Sequence, residues 1–262
     1  MCVVLNHAVD GPETAPVLLL VGSLGATLEM WRPQVAPLAE HLRVVRVDLR
    51  GHGGSPVPPG PYTMDGLGGD LLATLDALGV ESAHLAGLSL GGMVVMSAAV
   101  RAPGRVRSLA LLCTSADTGP AQPWLDRAKT VREEGPGALA PTVVSRWLTA
   151  PYAEEHPELV AWLRGMVAAT PREGYAGCAE AIAGFDLTGA LPAVTAPTLV
   201  VTASEDRSLP AEHGERIAAL VPGARRVHLE GVAHVVSVER ADDVTRLLLE
   251  HVREAESIWC HE

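Results

Sequence analysis

The stretch HLAGLSLGG at residues 84–92 decides the fold of this chain. An apolar strand pattern ends here in Gly-x-Ser-x-Gly and opens onto a helical pattern, which predicts a helix over residues 93–101. Glycines two positions on either side of Ser89 leave room for a sharp strand-to-helix turn, which lifts the serine hydroxyl above the carboxyl edge of a sheet. The backbone N–H of Leu90 would then lie at a helix N-terminus, where it can bind an anion. The motif predicts Ser89 as a nucleophile and Leu90 as an oxyanion donor.

The motif by itself also occurs in ordinary loops, so its context matters. Short apolar runs bounded by turn residues recur along the chain, and each is followed by a helical pattern. This alternation is typical of an α/β fold with a mostly parallel sheet covered by helices on both faces. The predicted strands are 17–21, 44–47, 84–88, 109–113, 198–202 and 227–229.

The strand–helix alternation stops between residues 117 and 187. This segment has helical patterns interrupted by prolines, and it precedes the strand predicted at 198–202. We therefore predict a sheet domain formed by residues 1–116 and 188–262, with residues 117–187 inserted as a helical cap. Such a cap would cover the carboxyl ends of the strands, where open α/β sheets bind ligands.

A serine nucleophile needs a base within hydrogen-bonding reach and an acid that orients the base. Asp206 follows the strand predicted at 198–202, and His234 follows the one predicted at 227–229. The resulting chain order, Ser89, Asp206 and His234, is the order found in α/β hydrolases. We predict that these three residues form a catalytic triad.

Other acids and histidines compete for these roles. Glu205 and Asp117 also follow predicted strands and remain alternatives for the acid. For the base, His228 lies within a strand and His213 begins a helix, so both are less well placed than His234. A further histidine, at position 52 in the loop after the 44–47 strand, is interpreted as structural.

The second oxyanion donor is expected from the turn Gly22-Ser23-Leu24-Gly25, through the backbone of Ser23 or Leu24. This turn lacks the Gly-x-Gly-x-x-Gly pattern of dinucleotide sites, so no cofactor is expected. The ten histidines show no His-x-x-x-His spacing, and no carboxylate cluster has ligand spacing, so no metal is expected either.

Composition narrows the range of partners. The 262 residues carry a formal net charge of −11, which disfavours a nucleic acid or an anionic membrane and favours a small molecule. The four cysteines are scattered, and we recognise neither a secretory leader nor an apolar run long enough to span a bilayer. We expect a soluble cytoplasmic protein with reduced thiols, as a monomer or a small homo-oligomer.

Several segments together resemble the 3-oxoadipate enol-lactonases, a branch of the α/β hydrolases. The likeness covers nearly the whole chain. It includes general hydrolase features and, within the predicted cap, a stretch that general hydrolase motifs do not include. The segments are SLGATLEMW at 23–31, RGHGGS at 50–55, PPGPY at 58–62, AGLSLGGM at 86–93, RW at 146–147 and TPREGYAGC at 170–178.

The resemblance implies hydrolysis of an enol-lactone to 3-oxoadipate in aromatic catabolism, through the β-ketoadipate pathway. Such a substrate carries a free carboxylate, and Arg146 and Arg127 in the predicted cap are the candidate cations. Both arginines can equally be solvated residues on helix faces. Trp147 either lines the pocket or anchors the cap on the sheet domain.

The chain departs from the enol-lactonase pattern close to the expected site. Val21-Gly22 stands where the family often has an Asn, and the loop from His234 to Glu239 reads HVVSVE where the family typically has a polar residue nearer the histidine. An esterase or lactonase for another metabolite, for example in natural-product biosynthesis, therefore remains an alternative. A lyase or cyclase on the same scaffold, or a binding protein, also remains open.

Overall fold

The computed structural model describes residues 2–259, in which seven strands form one sheet. The order across the sheet is β1-β3-β2-β4-β5-β6-β7; β1 is antiparallel to β3, and all other neighbouring strands are parallel. The predicted α/β class with a mostly parallel sheet is confirmed. The strands are β1 His7–Asp10, β2 Val17–Val21, β3 Arg43–Val47, β4 Ala83–Leu88, β5 Val106–Leu112, β6 Thr198–Ala203 and β7 Arg225–Leu229.

Helices cover the sheet, and every residue of the central strand β4 is buried. Apolar residues on both strand faces require cover on both sides, which the crossover helices of parallel strands supply. The helices are α1 Arg32–Ala39, α2 Met64–Ala77, α3 Leu90–Arg101, α4 Gln122–Glu134, α5 Ala140–Val144, α6 Ala150–Glu155, α7 Pro157–Ala169, α8 Arg172–Ala183, α9 Ala211–Leu220, α10 Val236–Glu239 and α11 Ala241–Trp259.

The six strands predicted from the sequence are all present, with small shifts at their ends. The fifth strand begins at Val106 instead of Leu109, and the helix expected from Met93 begins at Leu90. Gly91 and Gly92 have low helix propensity, so the first turn of α3 is not visible in the helical pattern. The turn becomes helical because it is packed between the neighbouring strands.

Helices α4 to α8 lie between β5 and β6, in the segment predicted as a cap, and we call residues 117–187 the cap segment. Its two ends meet: Asp117 forms an antiparallel bridge with Asp186, and the Leu187 N–H donates to the Ala116 carbonyl oxygen at 2.9 Å. Within it, α4 packs on α8 through small side chains, which let the helices approach closely. Its division from the sheet as a separate domain stays a prediction.

No helix within residues 2–259 combines the length and the apolar character that crossing a membrane requires.

Candidate active site

Ser89 occupies the turn between β4 and α3, with φ 58° and ψ −118°. This is the left-handed side of the backbone map, which non-glycine residues rarely adopt without support. A Cβ on Gly87 would lie 2.2 Å from the Gly91 carbonyl oxygen, and a Cβ on Gly91 would lie 2.2 Å from that of Val21. Both flanking glycines are therefore required by close backbone approach.

Backbone contacts to the neighbouring strand hold this turn in place. The Ser89 N–H donates to the Leu112 carbonyl oxygen at 2.9 Å, and the Thr114 hydroxyl donates to the Ser89 carbonyl oxygen at 2.7 Å. Leu90 is the first residue of α3 and is buried. Because N–H groups in the first turn of a helix lack intrahelical acceptors, that of Leu90 is available to an anion beside Ser89.

His234 and Asp206 form a buried pair after β7 and β6. Nδ1 of His234 lies 2.8 Å from Oδ2 of Asp206, and both residues are at most 5% exposed. Oδ1 of Asp206 accepts the N–H groups of Ser208 at 2.8 Å and Leu209 at 3.0 Å. With Nδ1 of the imidazole facing this carboxylate, Nδ1–H donates to Oδ2 in the neutral ring, which leaves Nε2 as the acceptor.

The acids that competed with Asp206 lie elsewhere. The Asp117 carboxylate pairs with Arg216, and the carboxylate bound to the His234 ring belongs to Asp206, not to the adjacent Glu205. The structure thus pairs the predicted acid with the predicted histidine and separates Asp117 from it.

The competing histidines also have other partners. Nδ1 of His213 lies 2.8 Å from the Ser115 hydroxyl, and Nδ1 of His228 lies 2.9 Å from the Thr202 hydroxyl. Each ring is thus bound to a hydroxyl group of the loop or strand beside it.

Ser89 and His234 line one cavity of about 350 Å³. Ser23 and Leu24, from the turn after β2, line the same cavity and are largely buried. Side chains from the cap segment, among them all three predicted substrate-binding residues, form the opposite wall. The structure therefore brings together the predicted nucleophile, base, second oxyanion turn and cap residues around one space.

His52 supports the turn that carries Ser23 and Leu24. Its Nε2 accepts the Gly25 N–H at 2.9 Å, and its Nδ1 donates to the Arg50 carbonyl oxygen at 3.2 Å. The ring is fully buried, and burial lowers its pKa, so that it is neutral and can accept this hydrogen bond. These contacts agree with the structural interpretation of His52.

Arg127 lies on α4 at the cap wall of the cavity. Its Nη2 donates to the Tyr175 hydroxyl at 2.5 Å, and its guanidinium carbon lies 5.2 Å from the Trp124 ring centre and 5.4 Å from that of Tyr175. Nε of Arg127 is buried without a hydrogen-bond partner. Within residues 2–259, no carboxylate forms an ion pair with this guanidinium. Two aromatic rings therefore hold a cation whose charge is not neutralised by a side chain.

The other two predicted binding residues differ in exposure. Arg146 is exposed at the rim of the cavity, whereas Trp147 is buried and lines its wall. The carbonyl oxygen of Trp147 accepts the N–H of Val235, the residue after His234, at 2.9 Å. Trp147 thus both lines the cavity and contacts the sheet domain, so the two functions expected for it are compatible.

Cys113 is a site residue that the sequence did not indicate. It follows β5 with φ 44°, and its sulfur lies within 4.8 Å of the nearest side-chain ligand atoms of Asp206 and His234. No motif marks it; the signal available was its place at the end of the strand beside β6. Burial raises the thiol pKa well above its usual range, so the sulfur is protonated.

In the described part of the chain, one cluster has donor atoms close enough together to share a metal ion, and it consists of Cys113, Asp206 and His234. A metal would need the thiolate and a free Nδ1 lone pair. Here the thiol keeps its proton and Nδ1 is bound to Asp206, so the arrangement suits a hydrogen-bonded acid–base pair better than a metal centre.

The known proteins that this chain resembles include several hydrolases. Residues 16–241 match the family described as the alpha/beta hydrolase fold. 3-Oxoadipate enol-lactonase 2 of Acinetobacter baylyi is 36% identical over 238 residues, which are 91% of this chain and 89% of that protein. A protein named putative carbamate hydrolase RutD, of Azorhizobium caulinodans, is 32% identical over 258 residues, 94% of this chain and 93% of that one.

A solved structure agrees with these relatives. The crystal structure of the enol-lactonase from Burkholderia xenovorans LB400 superposes with a TM-score of 0.92 at 39% identity and covers 95% of this chain and 96% of that one. The family match spans most of the sequence, and the superposition covers nearly all of the chain. The chain therefore belongs to the α/β hydrolase-fold family and is a hydrolase similar to the 3-oxoadipate enol-lactonases.

Proposed function

We propose that this protein is a serine hydrolase that opens an anionic enol-lactone, such as 3-oxoadipate enol-lactone, by a Ser89–His234–Asp206 triad. One observation carries the proposal: Ser89 and a histidine already paired with a buried carboxylate line the same cavity, opposite Arg127, which has no ion-pair partner in the described part of the chain. A nucleophile, its base and a site for the substrate charge are thus combined in one space.

In the proposed reaction, His234 takes the Ser89 proton at Nε2 while the serine oxygen attacks the lactone carbonyl. Asp206 stabilises the imidazolium through Nδ1–H. The N–H of Leu90 and a backbone N–H from Ser23 or Leu24 bind the oxyanion. The ring C–O bond breaks, and the leaving enolate oxygen takes the proton from His234 to give an enol, which tautomerises to the ketone. His234, now neutral, takes a proton from water, which attacks the acyl carbonyl and releases the acid from Ser89.

The cap wall supports a substrate with a carboxylate. A partly buried guanidinium attracts an anion more strongly than an exposed one, because less solvent screens the charge. Arg127 is partly buried at the cavity wall, the rings of Trp124 and Tyr175 fix it in place, and no carboxylate within residues 2–259 forms an ion pair with it. Arg146 at the rim is a second cation that can attract an anionic substrate to the cavity.

The relatives support the same assignment. Two of them are named enol-lactonases, and both cover about nine-tenths or more of this chain. The carbamate hydrolase name attached to another relative makes a carbamate the first alternative substrate to include in a test. A neutral ester is the second, because the departures from the enol-lactonase pattern lie near Ser23 and His234.

The test is to supply freshly prepared 3-oxoadipate enol-lactone and follow the loss of its absorbance. We expect rapid hydrolysis by the wild type, a loss of about 10⁴-fold or more in Ser89→Ala, and no change in Ser257→Ala, which alters an exposed serine on α11. A carbamate and a neutral nitrophenyl ester complete the panel.

Activity in Ser89→Ala close to that of the wild type would contradict the nucleophile. Hydrolysis of the ester or the carbamate but not of the lactone would retain the triad and reject the enol-lactone as substrate.

A further inference from the structure

The loop that carries His234 contacts the cap segment directly. Besides the hydrogen bond from Val235 to Trp147, one carboxylate joins the two parts. Glu239, at the end of α10, accepts the N–H of Ala233 at 3.1 Å, and Ala233 directly precedes His234. The same carboxylate accepts the N–H of Thr149 at 3.3 Å and also the Thr149 hydroxyl, two residues after Trp147.

The Thr149 hydroxyl binds Glu239 instead of capping the N-terminus of α6. Thr149 is the residue before α6, where a threonine hydroxyl commonly accepts an N–H from the first helical turn. Its hydroxyl makes no such capping bond and donates to Glu239 instead. The carboxylate therefore orients Thr149, although a capping bond would stabilise α6 locally.

Within residues 2–259, the Glu239 carboxylate forms hydrogen bonds with Ala233 and Thr149 and has no ion-pair partner. Its charge also acts on the nearby Tyr152, whose pKa is raised by burial and by this carboxylate. Ala233, Thr149 and Trp147 are all at most 8% exposed. Hydrogen bonds to a charged acceptor in such an environment are stronger than neutral ones.

We propose that Glu239 is a positioning residue that fixes His234 relative to the Trp147 wall of the cavity. The base and the surface proposed to hold the substrate belong to segments far apart in sequence. The Glu239 carboxylate connects the two segments, because it binds Ala233 beside His234 and Thr149 near Trp147. The proposal rests on the function proposed above, since it takes His234 as the base. A displacement of about 1 Å between base and substrate is enough to slow such a reaction by about 10²-fold.

The experiment compares Glu239→Gln, Glu239→Ala and Thr149→Val with the wild type. Active sites are first counted by covalent labelling of Ser89 with a fluorophosphonate, so that rates refer to folded protein. We expect kcat/KM per labelled site to fall by about 10- to 100-fold in Glu239→Ala and by less in Glu239→Gln and Thr149→Val. Combining Glu239→Ala with Thr149→Val should add little to Glu239→Ala alone, since Glu239→Ala already removes the contact with Thr149.

A purely stabilising residue would lower the melting temperature but leave the rate per labelled site and its pH profile unchanged. That result in Glu239→Gln and Thr149→Val, which are the variants most able to fold, would overturn the proposal. Thr149→Ser, which keeps the hydroxyl, should restore most of the rate. Glu250→Gln, an exposed carboxylate on α11, is the matched control and should behave as the wild type.

Failure of this inference can be told from failure of the proposed function. If Ser89→Ala is inactive while the Glu239 and Thr149 variants retain full rates per site, only the positioning role is wrong. If Ser89→Ala is active, the triad itself is wrong and the positioning role falls with it.

Discussion

The two walls of the cavity are built in different ways. On the sheet side, Ser89 and Asp206 are held mainly by backbone groups: the Ser89 N–H on Leu112, and the N–H groups of Ser208 and Leu209 on the carboxylate. On the cap side, Arg127 is held by side chains, namely two aromatic rings and the Tyr175 hydroxyl. A hydrogen bond from a backbone group persists when the side chain of that residue is replaced. A contact made by a side chain is lost when that side chain is replaced.

We expect the sheet wall to carry out the reaction and the cap wall to select the substrate. The groups proposed to break the ester bond belong to the sheet wall, so changes there should affect every substrate alike. The groups proposed to recognise the carboxylate belong to the cap wall, so changes there should affect anionic substrates only. The same fold can then keep its chemistry while its cap changes the substrate.

The largest effect is expected from Asp206→Asn on the sheet wall. The amide no longer stabilises the imidazolium and favours the wrong tautomer of His234, so kcat should fall by about 10³- to 10⁴-fold on all substrates. Steady-state kinetics on the lactone and on a neutral ester measure this. Asp242→Asn on α11 is the matched control. A loss confined to the lactone would contradict the division between the walls.

A smaller, substrate-dependent effect is expected from Arg127→Gln on the cap wall. Loss of a charged hydrogen bond of about 1.5–3 kcal/mol should raise KM for the anionic lactone by about 10- to 100-fold. Arg146→Gln should do less, because its exposed charge is already screened by solvent. Measured KM values for the lactone and for an uncharged ester of similar size separate these outcomes.

The control is Arg253→Gln, an exposed arginine on α11, which should leave both KM values unchanged. An equal loss on the neutral ester in Arg127→Gln would mean that Arg127 supports the fold of the wall and does not bind the carboxylate. A larger effect from Arg146→Gln would assign the carboxylate to the rim.

The smallest effect concerns stability, through His52 behind the sheet wall. Burial holds the pKa of His52 below its ordinary value of 6.5. As the pH falls below about 6.5, His52 becomes protonated in the unfolded chain before it does in the folded protein. The free energy of unfolding therefore decreases, by at most about 1.4 kcal/mol per pH unit for one group. Above that pH the contribution is constant.

His52→Gln keeps an oxygen that can accept the Gly25 N–H but does not titrate. Urea unfolding between pH 7.5 and 5 should therefore show a flatter decline in the variant than in the wild type. Buried His84 and His251 also have lowered pKa values and remain in both proteins, so the difference isolates His52. Parallel curves would mean that His52 does not supply the pH dependence.

Local sequence patterns predicted more of the sheet wall than of the cap wall. The apolar strands and the glycines around Ser89 follow from short-range rules of chain geometry, as do the positions of Asp206 and His234 after their strands. Cys113 escaped prediction because its role depends on the neighbouring strand β6 and not on its own surroundings in sequence. Similarly, the local sequence does not show that Arg127 binds the Tyr175 hydroxyl, which belongs to another helix.

The sequence by itself determined the order of strands and helices, the elbow at Ser89 and the family resemblance, because each rests on residues within a few positions of one another. Only the tertiary structure paired Asp206 with His234 and Asp117 with Arg216, brought Arg127 onto Tyr175, and joined Glu239 to Thr149. These contacts link residues 28 to 99 positions apart. Long-range pairs of this kind depend on how elements pack, which periodicity in one segment does not reveal.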